Sequence, residues 1–183
     1  MMRRAAGAAT ALLVAVLLFS GWKAAAASVT WVRAPGAGAR TGLLTVRNVP
    51  VRAPAAGPLA EIARAERAIV FIYSPDCAVC HANMANWIDL VGELRGGPVA
   101  LYAVAPMDTP PARAYWGGLG RHVRVVTATP AEVHTAFGVE ATPATLLVER
   151  GALRGEVVGS LTAAGLAQVR RFAAAGQAPR AAR

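Results

Sequence analysis

Two cysteines, three histidines and a single lysine, Lys23, are all that this 183-residue chain holds of those residue types. A tetrahedral zinc site takes four protein ligands. There is no second cysteine pair, and His81, His122 and His134 are dispersed, so no metal site is expected. Two cysteines also cannot build the multi-bridge framework of a small secreted scaffold. Acidic residues number 10 against 19 basic ones, giving a formal charge of +9. The arginines lie scattered, with no run of five and no interleaved aromatics, and this speaks against nucleic acid as a partner. No internal repeat is visible. What the chain has in quantity is apolar residues, 55% of the total. That is enough for a real core and excludes a wholly disordered chain.

The first 27 residues read as a targeting segment. Arg3 and Arg4 make a basic start, and the next charge after them is Lys23. The 18 uncharged residues from Ala5 to Trp22 are of borderline length for a hydrocarbon core of ~30 Å. Small residues Ala24 to Ala27 follow, a suitable context for signal cleavage. A cleaved signal peptide and an uncleaved membrane anchor both fit, and both place the rest of the chain outside the cytoplasm.

Residues 28–58, rich in Gly, Pro, Ala and Arg, read as a linker, with an accessory strand expected at Leu43 to Val49. A compact domain is expected over residues 59–176, and residues 177–183 as a flexible tail. Leu59 to Arg67 predicts a short helix, and the apolar, β-rich run Ala68 to Tyr73 a buried strand. Ser74-Pro75-Asp76 ends it. A helix follows from Cys77 to Leu94, with Cys80, Met84, Trp87, Val91 and Leu94 on one face. Next come a strand at Val99 to Val104, a helix at Pro110 to Leu119 and a strand at His122 to Val126. The pattern closes with a helix at Pro130 to Phe137, a hairpin of Thr145 to Val148 with Leu153 to Val158, and a helix at Thr162 to Ala175. Strands alternating with helices predict an α/β layered fold with parallel pairing at the sheet centre.

The two cysteines, Cys77 and Cys80, stand two residues apart where a helix begins after a buried strand. A thiolate is the attacking species in disulfide exchange, and a helix N-terminus offers unpaired N–H groups and partial positive charge to it. The second cysteine, one turn inward, is placed to attack a mixed disulfide. A structural bridge is the blander reading, but so short a loop constrains the unfolded chain little. Cys77-Ala78-Val79-Cys80-His81 also matches the c-type haem attachment pattern, which would make His81 an axial ligand. A preceding apolar strand and continued strand–helix alternation disfavour that reading.

Strand, break and cysteine pair together resemble the active-site segment of the thioredoxin superfamily. A second match lies downstream, at Gly138-Val139-Glu140-Ala141-Thr142-Pro143-Ala144-Thr145, similar to the stretch that carries the family's cis-proline. The 62 residues between Cys80 and Pro143 exceed those of a minimal thioredoxin. The extra strand and helix around Val99 to Leu119 resemble the inserted element of the exported TlpA/ResA-like branch. The wording S-P-x-C-x-V-C is also similar to the thioredoxin-like accessory protein of methylamine utilisation.

The resemblance implies a thioredoxin-like central mixed sheet flanked by helices, with an inserted strand–helix element. It implies a periplasmic or otherwise extracytoplasmic protein-disulfide oxidoreductase with no cofactor, Cys77 attacking and Cys80 resolving. Thr142 and Pro143 would bind the substrate strand, and Asp76 and His81 are candidate tuning residues. Implied partners are proteins with disulfides or thiols, such as apocytochrome c or a metal-site or enzyme maturation client, and a membrane thiol electron donor. An oxidase direction uses the same residues. One departure is clear: where thioredoxin carries a buried acid, six residues before the first cysteine, this chain has Phe71.

Overall fold

The computed structural model describes residues 42–175. Its centre is β2 (Arg67–Ile72), whose last five residues are all buried. A strand apolar on successive residues is covered on both faces, as in the middle of an α/β sheet. It pairs in parallel with β3 (Ala100–Ala105) and antiparallel with β5 (Ala144–Glu149). On the far side of β3 lies β4 (Arg124–Thr127), also parallel. On the far side of β5 lies β6 (Ala152–Val158), and β1 (Thr45–Pro50) closes that edge. The six-stranded sheet has the order β1-β6-β5-β2-β3-β4. This is the mixed, helix-flanked sheet the sequence predicts.

Helices α1 (Pro58–Arg64), α2 (Ala78–Leu94), α3 (Pro110–Ala114), α4 (Pro130–Phe137) and α5 (Ala163–Ala175) connect or follow the strands. Their ends are written in the sequence. Thr129 and Glu132 form a capping box at the start of α4, and Gly138 ends it at φ 70°. Arg150 and Gly151, both at positive φ, turn the β5–β6 hairpin.

Three differences from the sequence reading have physical causes. The helix expected over Pro110 to Leu119 stops at Ala114 and resumes as a 3-10 turn, Gly117–Arg121. Gly117 stands at φ 47°, a conformation that a continuous α-helix excludes. The buried face of α2 is Cys80, Asn83, Trp87, Leu90 and Val91. Met84 and Leu94 only flank it, and the polar Asn83 takes a core position because it has partners there. The accessory strand forms as β1, shifted to Thr45–Pro50 and hydrogen-bonded to β6, so the sheet reaches upstream of Leu59. Just before it, the Gly42 carbonyl accepts from the backbone and side chain of Thr162, ahead of α5. The approach is so close that a Cβ at Gly165 would lie 2.3 Å from that carbonyl oxygen.

One face of the sheet carries α2 and α5 over a core in which aromatic rings cluster. Phe71 lies 5.4 Å from Trp87 and 5.2 Å from Trp116, and Trp87 lies 5.7 Å from Trp116, centroid to centroid. Among the described residues no helix is long and apolar enough to cross a membrane. The targeting segment expected at residues 1–27 and the tail at 177–183 lie outside the described residues.

Candidate active site

The parallel strands β2, β3 and β4 all end on one side of the sheet, where open α/β sheets place their sites. There Tyr73 N–H still holds Val104 O at 3.1 Å, and Ser74-Pro75-Asp76 then turn the chain into α2. Cys77 is the residue that caps this helix. It has extended backbone angles, φ −92° and ψ 108°, and its Sγ accepts the Cys80 N–H at 3.2 Å. A helix N-terminus normally satisfies such an N–H with a side-chain oxygen. Here the acceptor is sulfur, held where the helix presents donors and partial positive charge.

The two thiols sit in different surroundings. Cys77 is partly exposed, whereas Cys80 is buried. Burial pushes the Cys80 thiol up to about 12, helped by the adjacent Cys77, while the Ser74 backbone and the Thr142 side chain act against the rise by hydrogen bonding. The Thr142 contact also locates the distant loop: the chain preceding β5 lies directly against the second cysteine. The Thr142–Pro143 peptide bond is cis, as the resemblance implied. Pro143 is buried, and its carbonyl accepts the Gly159 N–H at 2.8 Å.

The structure thus brings Cys77, Cys80, Thr142 and Pro143 to one place. His81 joins them from the first turn of α2, its ring 5.1 Å from that of Tyr115 and its Nε2 2.7 Å from Pro75 O. Asp76 is exposed on the preceding turn, its N–H facing Ser74 Oγ at 3.4 Å. Phe71 lies in the same buried core as Cys80, against Trp87 and Trp116, so the position six residues before Cys77 supplies no acid.

Three supporting residues escape a reading of the sequence alone. Asn83 Oδ1 accepts from Leu161 N at 2.8 Å and from Asn86 Nδ2 at 3.0 Å, tying α2 to the segment that follows β6. That segment includes Gly159, the residue that holds Pro143. Thr145 accepts the Trp87 indole N–H at 3.0 Å, joining α2 to β5 within the core. Tyr115, at the end of α3, stacks on Tyr73 with centroids 4.8 Å apart. A buried polar residue on a helix face is the signal that could have found Asn83, since such groups are seldom buried without partners.

No protein-family model matches the chain, and no curated protein does. Solved structures do resemble it. A thioredoxin-family thiol:disulfide interchange protein from Chlorobium tepidum TLS superposes with a TM-score of 0.54 at 15% identity, covering 70% of this chain and 98% of that one. A DsbF homologue from Corynebacterium diphtheriae gives 0.54 at 14% identity, covering 76% and 96%. A secreted disulfide oxidoreductase of Mycobacterium tuberculosis, homologous to E. coli DsbE, gives 0.51 at 12% identity, covering 70% and 95%. Fold and site define the class: an α/β protein with a C-x-x-C dithiol capping the helix after its central strand. The chain has the thioredoxin fold.

Proposed function

We propose that this protein is an extracytoplasmic thiol–disulfide oxidoreductase that reduces disulfides of other proteins. One observation carries the reading: an accessible cysteine caps the helix, and a buried partner waits one turn inward beneath the cis-proline loop. The Cys77 thiolate attacks one sulfur of a client disulfide. The client S–S bond breaks, a Cys77–client bond forms, and the second client sulfur leaves as a thiolate that takes a proton from water. Cys80 then loses its proton and attacks Cys77 Sγ. The mixed disulfide breaks, the second client thiolate departs, and Cys77–Cys80 is left oxidised. Two electrons have passed to the client, and a membrane thiol donor would restore the dithiol.

The Pro143 carbonyl is engaged by Gly159. Thr142 is therefore the residue whose backbone would pair with an extended client strand, a form of β-augmentation. Haem attachment, the rival reading, needs both sulfurs open to the porphyrin, and Cys80 is 0% exposed. Apocytochrome c, a metal-site protein and an enzyme under maturation are the client classes. The wording shared with the methylamine-utilisation accessory protein favours the last of these.

The test is Cys80→Ser in cells, which should arrest clients as mixed disulfides on Cys77 for isolation and sequencing. No adduct above the level seen with a Cys77→Ser/Cys80→Ser control would sink the reading. Equilibration in glutathione buffers decides direction. A potential near −270 mV, about that of thioredoxin, supports a reductase, and one near −120 mV, about that of a strong oxidant, makes it an oxidase.

A further inference from the structure

The resolving step sets a problem that the dithiol alone does not solve. Cys80 must become an anion in a buried site. Phe71, six residues before Cys77 and in the same buried core as Cys80, is packed against Trp87 and Trp116 and can neither accept a proton nor donate a hydrogen bond. The Tyr115 hydroxyl, in contrast, is buried with no hydrogen-bond partner. An unpaired buried hydroxyl costs about 1–3 kcal/mol, so it calls for an explanation in function or structure.

Tyr115 is held from several sides. Its N–H is held by Pro111 O at 2.9 Å, and its ring stacks on Tyr73 on one side and approaches His81 on another. The ring packs against the core cluster that includes Cys80, as Cys77 does. Four titratable groups face it: Tyr73 from the end of β2, and Cys77, Cys80 and His81 from the start of α2. Two are already committed. The Tyr73 hydroxyl donates to Ala112 O at 2.7 Å, and the His81 ring is bonded to Pro75 O. The two sulfurs are the remaining titratable groups near the hydroxyl, and neither is bonded to it in this structure.

We propose that the Tyr115 hydroxyl donates a hydrogen bond to the Cys80 thiolate as it forms, and so speeds resolution of the mixed disulfide. The proposal rests on the oxidoreductase reading above. The phenol keeps its own proton throughout: burial, then negative charge on Cys80 and on Cys77, hold its acidity below the ordinary level. The Cys80 proton passes to water, and the electron pair of the broken bond leaves with the departing thiolate. The hydroxyl is bonded to neither sulfur in the resting structure, so the bond forms as charge develops on Cys80.

The test follows the reduced full-length protein with the aromatic disulfide 5,5′-dithiobis(2-nitrobenzoate) in a stopped-flow instrument. Cys77 attack releases a first aryl thiolate, and Cys80 attack on the resulting mixed disulfide releases a second. Tyr115→Phe keeps the ring and removes the hydroxyl. It should slow the second release about tenfold at neutral pH, leave the first within about twofold, and not lower the thermal unfolding midpoint, since the hydroxyl removed is unpaired in the resting fold; a tenfold change in rate is ~1.4 kcal/mol. Tyr73→Phe, which removes a neighbouring hydroxyl bonded elsewhere, should not slow the second release. A second release within about twofold of wild type in Tyr115→Phe, or equal slowing in both variants, overturns the proposal. A wild-type protein that releases only one equivalent overturns the oxidoreductase reading itself.

Discussion

Replacing Asn83 by alanine tests how the two halves of the site are held in register. The carboxamide connects α2, which carries the cysteines, to the Gly159–Leu161 segment, and Gly159 in turn holds Pro143. Alanine removes the acceptor for the Leu161 N–H, in a residue 5% exposed, and leaves that donor unpaired at a cost of about 1–3 kcal/mol. The second accepted bond matters less. Asn86 keeps Leu161 O as a partner at 3.0 Å and is only partly buried. A partial offset comes from Asn83 itself, whose Nδ2 is buried without a partner and disappears with the side chain. The net expectation is about 1 kcal/mol of destabilisation. Urea unfolding at pH 7 with the dithiol reduced should show it as a midpoint lowered by about 0.5 M, at an m-value of ~2 kcal/mol/M that does not change. Client reduction should fall several-fold, while first-order alkylation of Cys77 stays as in wild type. A midpoint shift below about 0.2 M would refute the reasoning, since it would mean the Leu161 N–H finds another partner at no cost.

Brief alkylation of the reduced protein at neutral pH should label Cys77, with Cys80 reacting only in denaturant; equal labelling in the native state would reverse the assigned roles. Because the Cys80 thiol is raised from 9.0 to about 12 on folding, the unfolded chain gives up this proton first as pH climbs. Its contribution is whole below pH 9 and is lost between there and about 12, so wild type should lose stability relative to Cys80→Ala when urea unfolding at pH 8 is compared with pH 10. A difference independent of pH would contradict this. Thr145→Val should cost about 1–3 kcal/mol by stranding the Trp87 N–H, and Thr145→Ser, which keeps the hydroxyl, distinctly less; equal urea midpoints for the two variants would rule this bond out as the cause.

Much of this architecture could be read from the chain because each signal was local. The apolar run at Ala68–Tyr73, the helical stretch Pro130 to Phe137, and the cysteines two residues apart declare β2, α4 and the dithiol without any distant partner. The Thr142–Pro143 bond was legible only through resemblance, since proline in a loop is otherwise unremarked. Gly117 shortened a helix that the apolar pattern extended through Leu119, because a glycine's φ is set by its tertiary setting. Asn83 and Tyr115 were hidden for another reason. A pattern of apolar spacing counts Asn83 as polar and therefore outward, whereas its partner Leu161 lies 78 residues away. Tyr115 meets the cysteines only once β3 and α3 have carried it back to the same end of the sheet.

The close contact of Gly42 with the residues that open α5 has a practical consequence for tethering. Gly42 is bound to Thr162, only three residues beyond Gly159, and so lies near the strand end where the cis-proline loop is anchored. The opposite terminus of the described chain behaves differently. The 13 residues of α5 carry it about 20 Å from that point at ~1.5 Å per residue. A reporter attached to the side chain at position 175 should therefore leave the dithiol open, whereas the same cargo attached at position 45 should compete with large clients while sparing small disulfides.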